Sequence, residues 1–273
     1  MTRGYLPAAV AFVRDNGDEL ELARLAGQLG RERPDPRAMR TLSTRQNEDG
    51  GFPYLMIPGR PSAVTATSTA LQWMQDLRLL RSSHTERALA YLLTVQRPDG
   101  AWDESPALVK YDPPPLGRPG HAAGRLFVTG VASLWVARLL GARHESARRA
   151  AVFLRTARDG AWPGDEPVPV SVAVTAACAA VEGRTSAVAV AGLEVLGRVP
   201  PESWSADRLI DLGVALYGAG FGSGLPLVGA AVRDVLVMQR DDGGWTSEYG
   251  ADREVDLALR ALSALLGFGT TSG

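Results

Sequence analysis

The chain has 273 residues, 45% of them hydrophobic and 22% charged, a balance typical of a globular protein with a sizeable core. Its formal net charge of -1 leaves no basic excess for nucleic acid or for an anionic membrane, so neither is an expected partner. Cys178 is the only cysteine, which excludes an intrachain disulfide and a cysteine-rich zinc site.

Two features bear on where the protein resides. The apolar stretch before Arg14 is too short for the core of a signal peptide or for a membrane span, so we expect a cytoplasmic protein without a transmembrane segment. Lys110 is the only lysine among 29 basic residues, and this preference for arginine indicates a GC-rich bacterial genome.

Hydrophobic periodicity predicts twelve helices and no convincing strand. In chain order they lie at about 5–14, 18–29, 35–46, 63–76, 84–96, 125–140, 144–157, 171–181, 185–196, 205–219, 226–239 and 253–266. Six outer and six inner helices can close into a ring in which no pair is left with an unpaired end. The prediction is one all-α domain over 1–273, a closed α/α toroid of six helix pairs with an apolar central cavity.

A short motif of glutamine, tight turn and aromatic residue follows the outer helices. Its copies run over Gln46–Phe52, Gln96–Trp102, Ala157–Trp162 and Gln239–Trp245, and the long last interval leaves room for a decayed copy near Gly197–Arg208. The Asp-Gly turn favours φ > 0, the aromatic ring can pack back on its helix pair, and the Gln amide can bond a neighbouring turn. We therefore predict a structural role for the motif.

The repeat QxxDGGW followed by an apolar helix resembles that of squalene-hopene and oxidosqualene cyclases, class II diterpene cyclases and protein prenyltransferase β subunits. The resemblance spans essentially the whole chain and implies an active site inside a ring of helices. Class II cyclases carry DxDDTA at the start of an inner helix, and the matching segment here is TATSTA, with Thr65, Thr67 and Ser68 in place of the acids. A hydroxyl cannot protonate an alkene, so these residues are predicted either to line the pocket or only to pack between helices.

Another carboxyl must then supply the proton. Asp256 starts an apolar helix with Glu254 two residues before it, and a carboxyl in an apolar pocket beside a second carboxyl favours its neutral form. We predict Asp256 as the acid with Glu254 beside it, and Asp211 and Asp207 as second candidates. The alternative is that these acids only complement the dipole of a helix start.

Aromatic faces stabilise carbocations, so Phe127, Trp204, Tyr217 and Tyr249 are predicted to line the substrate pocket. The segment 103–124 is too rich in Pro and Gly for a helix and too long for a simple connection, which suggests a lid. Basic and aromatic residues in and directly after this segment are predicted to contact a carboxylate or diphosphate at the cavity mouth: Lys110, Tyr111, Arg118 and Arg125. The alternative is a solvated linker.

The resemblance to prenyltransferases would require an Asp, a Cys and a His that bind zinc. Cys178 has no histidine at helical spacing, and His84, His121 and His144 are scattered, so no metal is predicted. Magnesium would enter only with a diphosphate substrate.

Three functions follow from these features. The first is a terpene-cyclase-like enzyme of specialised metabolism that cyclises or isomerises an isoprenoid or polyene-like apolar substrate by acid catalysis. The second is a non-catalytic toroid that binds an apolar metabolite or a partner protein. The third is a zinc-dependent prenyltransferase.

Overall fold

The computed structural model describes residues 4–30, 36–158 and 166–269, and these form twelve α-helices. They are α1 (Tyr5–Asn16), α2 (Glu19–Gln28), α3 (Pro36–Arg45), α4 (Val64–Asp76), α5 (Ser83–Val95), α6 (Ala122–Leu140), α7 (Glu145–Thr156), α8 (Val168–Glu182), α9 (Ala187–Gly197), α10 (Ala206–Gly218), α11 (Pro226–Val237) and α12 (Glu254–Gly267). Within the described chain, strand is limited to a two-residue antiparallel pair, β1 (Phe52–Pro53) and β2 (Ser62–Ala63).

The even-numbered helices form a closed inner ring. In the order α2, α4, α6, α8, α10, α12 each packs on the next, and α12 packs back on α2. The odd-numbered helices pack outside this ring against their neighbours in the chain. The predicted α/α toroid is therefore confirmed.

The helix α6 has an unusual composition for a ring helix. It is 19 residues long with a mean hydropathy of 1.3, which makes it the one helix of the described chain that is apolar enough, by length and composition, to cross a membrane. Half of this stretch is buried inside the protein, where α6 packs between α4 and α8. An inner-ring helix with packed neighbours on both sides needs such a composition.

The glutamine of the repeated turn joins one helix pair to the next. Gln96 Nε2 donates to the carbonyl of Gly100 in its own turn (2.9 Å) and to that of Ser146 at the start of α7 (2.9 Å). The same two kinds of bond link Gln46 to Gly50 and His84, and Gln239 to Gly243 and Tyr5. Because Tyr5 begins α1, the last repeat bonds to the first helix and closes the ring.

The aromatic residue of the turn holds its own helix pair. Trp102 Nε1 donates to Leu92 O (2.7 Å) and Trp245 Nε1 donates to Val235 O (2.7 Å), and both indoles are fully buried. The described copies thus have a structural role, while residues 159–162 of the third copy lie outside the described part. The decayed copy expected near Gly197–Arg208 is not a turn of this kind, because no residue there has a positive φ.

The glycine of the turn allows a close approach that we expect to be intolerant of a side chain. Gly100 has φ +89°, and a Cβ atom there would lie 2.5 Å from Arg149 O on α7. Gly100→Ala should therefore lower the free energy of unfolding by about 1–3 kcal/mol more than Gly59→Ala. Gly59 is the matched control, since its φ is +82° and a Cβ would meet nothing within 4 Å. Urea unfolding followed by circular dichroism measures both, and equal losses would contradict the packing argument.

Candidate active site in the ring interior

One wall of the ring interior carries three carboxylates gathered around one arginine. The face of α10 that packs on α11 bears Leu209 and Ile210, and Asp207 and Asp211 lie one turn apart on the opposite face, toward the ring interior. Arg260 of α12 donates to Asp207 Oδ1 (3.1 Å), to Asp256 Oδ2 (3.1 Å) and to Asp211 Oδ1. We call Asp207, Asp211, Asp256 and Arg260 the Arg260 cluster.

A second arginine extends this polar network to two more inner helices. Arg24 of α2 donates to Asp256 Oδ1 (2.7 Å) and, through Nε, to Asp76 Oδ2 at the end of α4 (3.0 Å). The side chains of Arg24 and Asp76 are each only 1% exposed. Trp73 Nε1 also donates to Asp256 Oδ1 (3.2 Å). The expectation of an apolar cavity is therefore wrong for this wall, which carries a continuous network of charges.

The wall formed by α6 and α8 is apolar. Phe127, Val131 and Leu134 of α6 are half-buried at helical spacing, and residues 170–179 of α8 are buried, nearly all of them valine, alanine and other small residues. In a six-helix ring α6 lies opposite α12, and α8 lies opposite α2. The interior thus combines a charged side with an apolar side.

Asp256 is ionised, contrary to the reason for predicting it as the acid. Burial by itself would raise the pKa of Asp256, but Arg24 and Arg260 outweigh it and hold that pKa at about 2. Arg24 comes from a helix far away in sequence, which is why the start of α12 alone suggested a neutral carboxyl. A carboxylate with so low a pKa is a poor proton donor at neutral pH.

Asp211 has the properties that were expected of Asp256. Burial raises the pKa of Asp211 above its ordinary value, and the nearby Asp207 carboxylate acts in the same direction, although Arg260 opposes them. Yet 52% of the Asp211 side chain is exposed. The Asp211 carboxyl is thus partly desolvated by the surrounding protein and is still accessible to a ligand.

Glu254 forms an ion pair with an arginine of the repeated turn. Its carboxylate binds Arg240 Nη1 at 2.8 Å, and Arg240 also binds Asp242 of the turn at 2.9 Å. Burial is incomplete, with 16% of the side chain exposed. The geometry gives Glu254 a salt-bridge role at the start of α12 and does not bring it to the Arg260 cluster.

Two of the three hydroxyl residues of α4 that were predicted to line the pocket are bonded within the packed helix. Thr67 Oγ1 donates to Ala63 O (2.8 Å) and accepts from Phe52 N (3.0 Å), and Ser68 Oγ donates to Val64 O (2.9 Å); both side chains are buried. Thr67 and Ser68 therefore do not line the interior, contrary to prediction, because their positions on α4 face the packed side of the helix.

Thr65 is partly exposed and bonds to a carboxylate that the sequence did not single out. Glu104 accepts from Val64 N (2.8 Å), Thr65 N (2.9 Å) and Thr65 Oγ1 (2.5 Å), so it caps the start of α4 from a distant loop. Burial raises the pKa of Glu104 despite these bonds. A carboxylate thus does stand at the start of this inner helix, although it belongs to another segment.

The predicted aromatic residues do not converge on one site. Trp204 precedes α10 by two residues and Tyr217 is the second-last residue of that helix, which puts them about 18 Å apart along its axis. Tyr217 packs edge-on against Phe268, and Phe127 lies on the apolar wall of α6. Tyr249 lies within the electrostatic influence of the cluster, since burial and the carboxylates of Glu248 and Asp211 raise the pKa of Tyr249 to about 12.

The segment 103–124 is anchored at both ends. Glu104 bonds to α4, and Gly120 N donates to both carboxylate oxygens of Asp103 (3.1 Å each). Two of the cations predicted to hold an anion are already paired: Arg118 binds Asp112 at 3.1 Å and Arg125 binds Asp99 at 2.6 Å. An anionic ligand would have to compete with or add to these ion pairs, so the predicted anion contact and the lid function of this segment both stay predictions.

The histidines and the cysteine lie on separate elements. His121 and His144 cap α6 and α7 through Nδ1, His84 Nδ1 bonds to Gln46, and Cys178 is buried in α8. Among residues 4–30, 36–158 and 166–269, no three His, Cys, Asp or Glu side chains are grouped as metal ligands would be. The prediction that no metal is required stays a prediction.

Three solved structures share this fold over nearly the whole chain. The first is a variant of type II terpene cyclase MstE from Scytonema, solved in complex with its substrate geranylgeranyl dihydroxybenzoate. The match covers 98% of this chain and 97% of the MstE chain, with 14% sequence identity and a TM-score of 0.60. A second MstE variant, in complex with its product merosterolic acid A, matches 97% and 96% at 17% identity and a TM-score of 0.59. A protein from Actinoplanes matches 98% and 100% at 17% identity and a TM-score of 0.61.

At these identities the likeness establishes a fold shared with type II terpene cyclases and nothing about the reaction. No protein-family model and no curated protein matches the sequence.

Proposed function

We propose that this protein is a terpene-cyclase-like enzyme that isomerises or cyclises an isoprenoid-like apolar substrate by proton transfer inside the ring, with Asp211 as the proton donor. The observation that carries the proposal is the exposed Asp211 carboxyl, whose pKa is raised by burial and by the neighbouring Asp207. Asp211, a second candidate from the sequence, thus takes the role of acid that was predicted for Asp256.

The proposed reaction begins with a neutral Asp211. Its O–H bond breaks while the π electrons of a substrate double bond form a new C–H bond, which leaves a carbocation on the substrate and a carboxylate on Asp211. A second double bond donates its π electrons to the carbocation and closes a ring. Loss of a proton from carbon then restores a double bond, and Asp211 regains a proton. The product has the same atoms as the substrate.

The surroundings of Asp211 suit a cationic reaction. Arg24 and Arg260 face four carboxylates, Asp76, Asp207, Asp211 and Asp256, so this network carries net negative charge when all are ionised. Negative potential in a partly desolvated space stabilises a developing positive charge. Arg260, which is itself bound to Asp207, fixes the position of Asp211. The opposite α6 and α8 wall offers an apolar surface to a hydrocarbon chain.

The substrate class is supported by the fold neighbours. MstE, which shares the fold, was solved with a geranylgeranyl-bearing substrate and with its product. An isoprenoid chain is apolar and carries several double bonds in series, which the reaction requires. The second candidate, a toroid that binds such a molecule without converting it, uses the same apolar wall.

Incubation of the purified protein with acyclic isoprenoids tests the proposal. We expect geranylgeranyl dihydroxybenzoate, squalene, squalene epoxide or a linear prenyl diphosphate to give a product of unchanged mass and different retention in chromatography with mass spectrometry. EDTA should leave turnover of the neutral substrates unchanged. Saturable binding with no product from any of them would favour the non-catalytic toroid, and activity lost with EDTA and restored by zinc would contradict the proton-transfer scheme.

A further inference from the structure

Two cations lie against one tyrosine ring at the surface, at a place separate from the Arg260 cluster. The guanidinium carbon of Arg60 lies 4.7 Å from the ring centroid of Tyr111, and Lys110 Nζ lies 5.0 Å from the same centroid. Arg60 also lies 5.8 Å from the ring of Tyr54, whose centroid is 6.1 Å from that of Tyr111. The two loops that meet here, residues 54–61 and 106–112, thus bring both cations to the same ring.

These two cations lack the partners that other surface arginines have. Within the described chain, no carboxylate lies within 4.0 Å of the side-chain nitrogens of Arg60 or Lys110, whereas Arg118 and Arg125 each bind an aspartate. Two like charges on one ring repel each other, and the aromatic face offsets that repulsion only in part. An anion bound beside this ring would relieve it.

The ring contacts also leave hydrogen-bond donors available. Arg60 is half-buried and its guanidinium lies against the rings of Tyr54 and Tyr111, which restricts its side chain before any ligand arrives. Stacking uses the face of a guanidinium and leaves its N–H edge free to bind oxygen atoms. Such a preordered guanidinium, with an ammonium beside it, suits a phosphate group.

Apolar side chains are exposed on the same two loops. Leu55 is 47% exposed and Ile57 42% in the first loop, and Val109 is 59% exposed next to Lys110 in the second. Leu55 and Met56 hold φ values of 56° and 57°, a left-handed conformation that is costly for side chains other than glycine. This conformation presents Leu55 outward beside the tyrosine pair.

From these contacts we infer that Arg60, Lys110 and Tyr111 form a binding site for the phosphate group of an amphiphile, whose apolar chain lies on Leu55, Ile57 and Val109. The same head-group chemistry is found in a soluble alkyl phosphate and in an anionic phospholipid. The inference is independent of the proton transfer at Asp211, because binding is measured without turnover.

Calorimetric titration with dodecyl phosphate tests the site, with dodecanol and inorganic diphosphate as partial ligands. We expect dodecyl phosphate to bind more tightly than either, and Arg60→Gln and Lys110→Gln each to raise its Kd about tenfold. Arg118→Gln is the matched control, since its cation is already paired with Asp112, and it should leave the Kd unchanged. Asp211→Asn should bind as the natural protein does, which separates this site from the proposed chemistry.

Co-sedimentation with vesicles distinguishes the source of the phosphate. Binding to phosphatidylglycerol vesicles but not to phosphatidylcholine vesicles, lost in Lys110→Gln, would support the site with a lipid surface as its ligand. Binding of dodecyl phosphate alone would support it with a soluble ligand. No binding to either, or binding that neither Arg60→Gln nor Lys110→Gln weakens, would overturn the inference. Lys110 is exposed, so its variant remains informative if Arg60→Gln does not fold.

Discussion

Asp211→Asn will lower kcat for the converted substrate by about 10²–10⁴-fold, because an amide cannot give up the proton that a general acid supplies. Asparagine preserves the size of the side chain, and Arg260 keeps Asp207 and Asp256 as partners. We therefore expect a folded protein that binds substrate and does not convert it. The readout is product formation by mass spectrometry, with thermal unfolding to confirm the fold.

The pH dependence gives a second test of the same residue. The proton donor must be neutral, so activity is present below the raised pKa of Asp211 and is lost as pH rises through it. Asp211→Glu keeps a carboxyl, so its activity should also fall as pH rises. Asp252→Asn is the control for removal of a charge, because Asp252 lies in a loop and is 78% exposed, and its pH profile should match that of the natural protein. If Asp211→Asn turns over normally and Glu104→Gln does not, the proton comes instead from Glu104.

The fold could be predicted from sequence because its determinants are local and repeated. Each turn carries its glycine, its aspartate and its aromatic residue within seven positions, and the helices between them follow one period. The bond from Gln239 to Tyr5 that closes the ring spans nearly the whole chain, yet it repeats the bonds that Gln46 and Gln96 make over shorter distances. Repetition made a remote contact predictable.

The site could be predicted only in part because its electrostatics depend on remote partners. The prediction of a neutral Asp256 rests on its neighbours in α12, whereas Arg24, which binds Asp256, lies 232 positions earlier in the chain. A signal was present in α2, where Arg24 follows Leu20 by one turn on an otherwise apolar stripe. Arg260 lies four positions after Asp256 on the same helix, a spacing that by itself indicates an ion pair. Glu104 gave no signal, since it lies in an irregular segment and its partners are 39 and 40 positions away.

Arg24→Met is expected to cost the most stability of any single change in the network, about 3–5 kcal/mol of unfolding free energy. The guanidinium is buried and binds Asp76 and Asp256 together. Its removal leaves Asp76 as a buried carboxylate whose remaining side-chain donors are the neutral amides of Gln72, with Nε2 at 3.1 Å, and Gln28. Methionine has a side chain of similar volume to that of arginine, so the loss of unfolding free energy comes mainly from the missing charge interaction. Urea unfolding measures it.

The double variant Arg24→Met with Asp76→Asn separates charge from packing. If the loss comes from an uncompensated carboxylate, neutralising Asp76 will restore part of the stability, and the double variant will be more stable than Arg24→Met alone. The loss in Arg24→Met should also be smaller at about pH 5 than at about pH 8, because a buried carboxyl without its cation has a raised pKa and takes up a proton as pH falls. A loss of the same size at both pH values and in both variants would assign the effect to packing instead of charge.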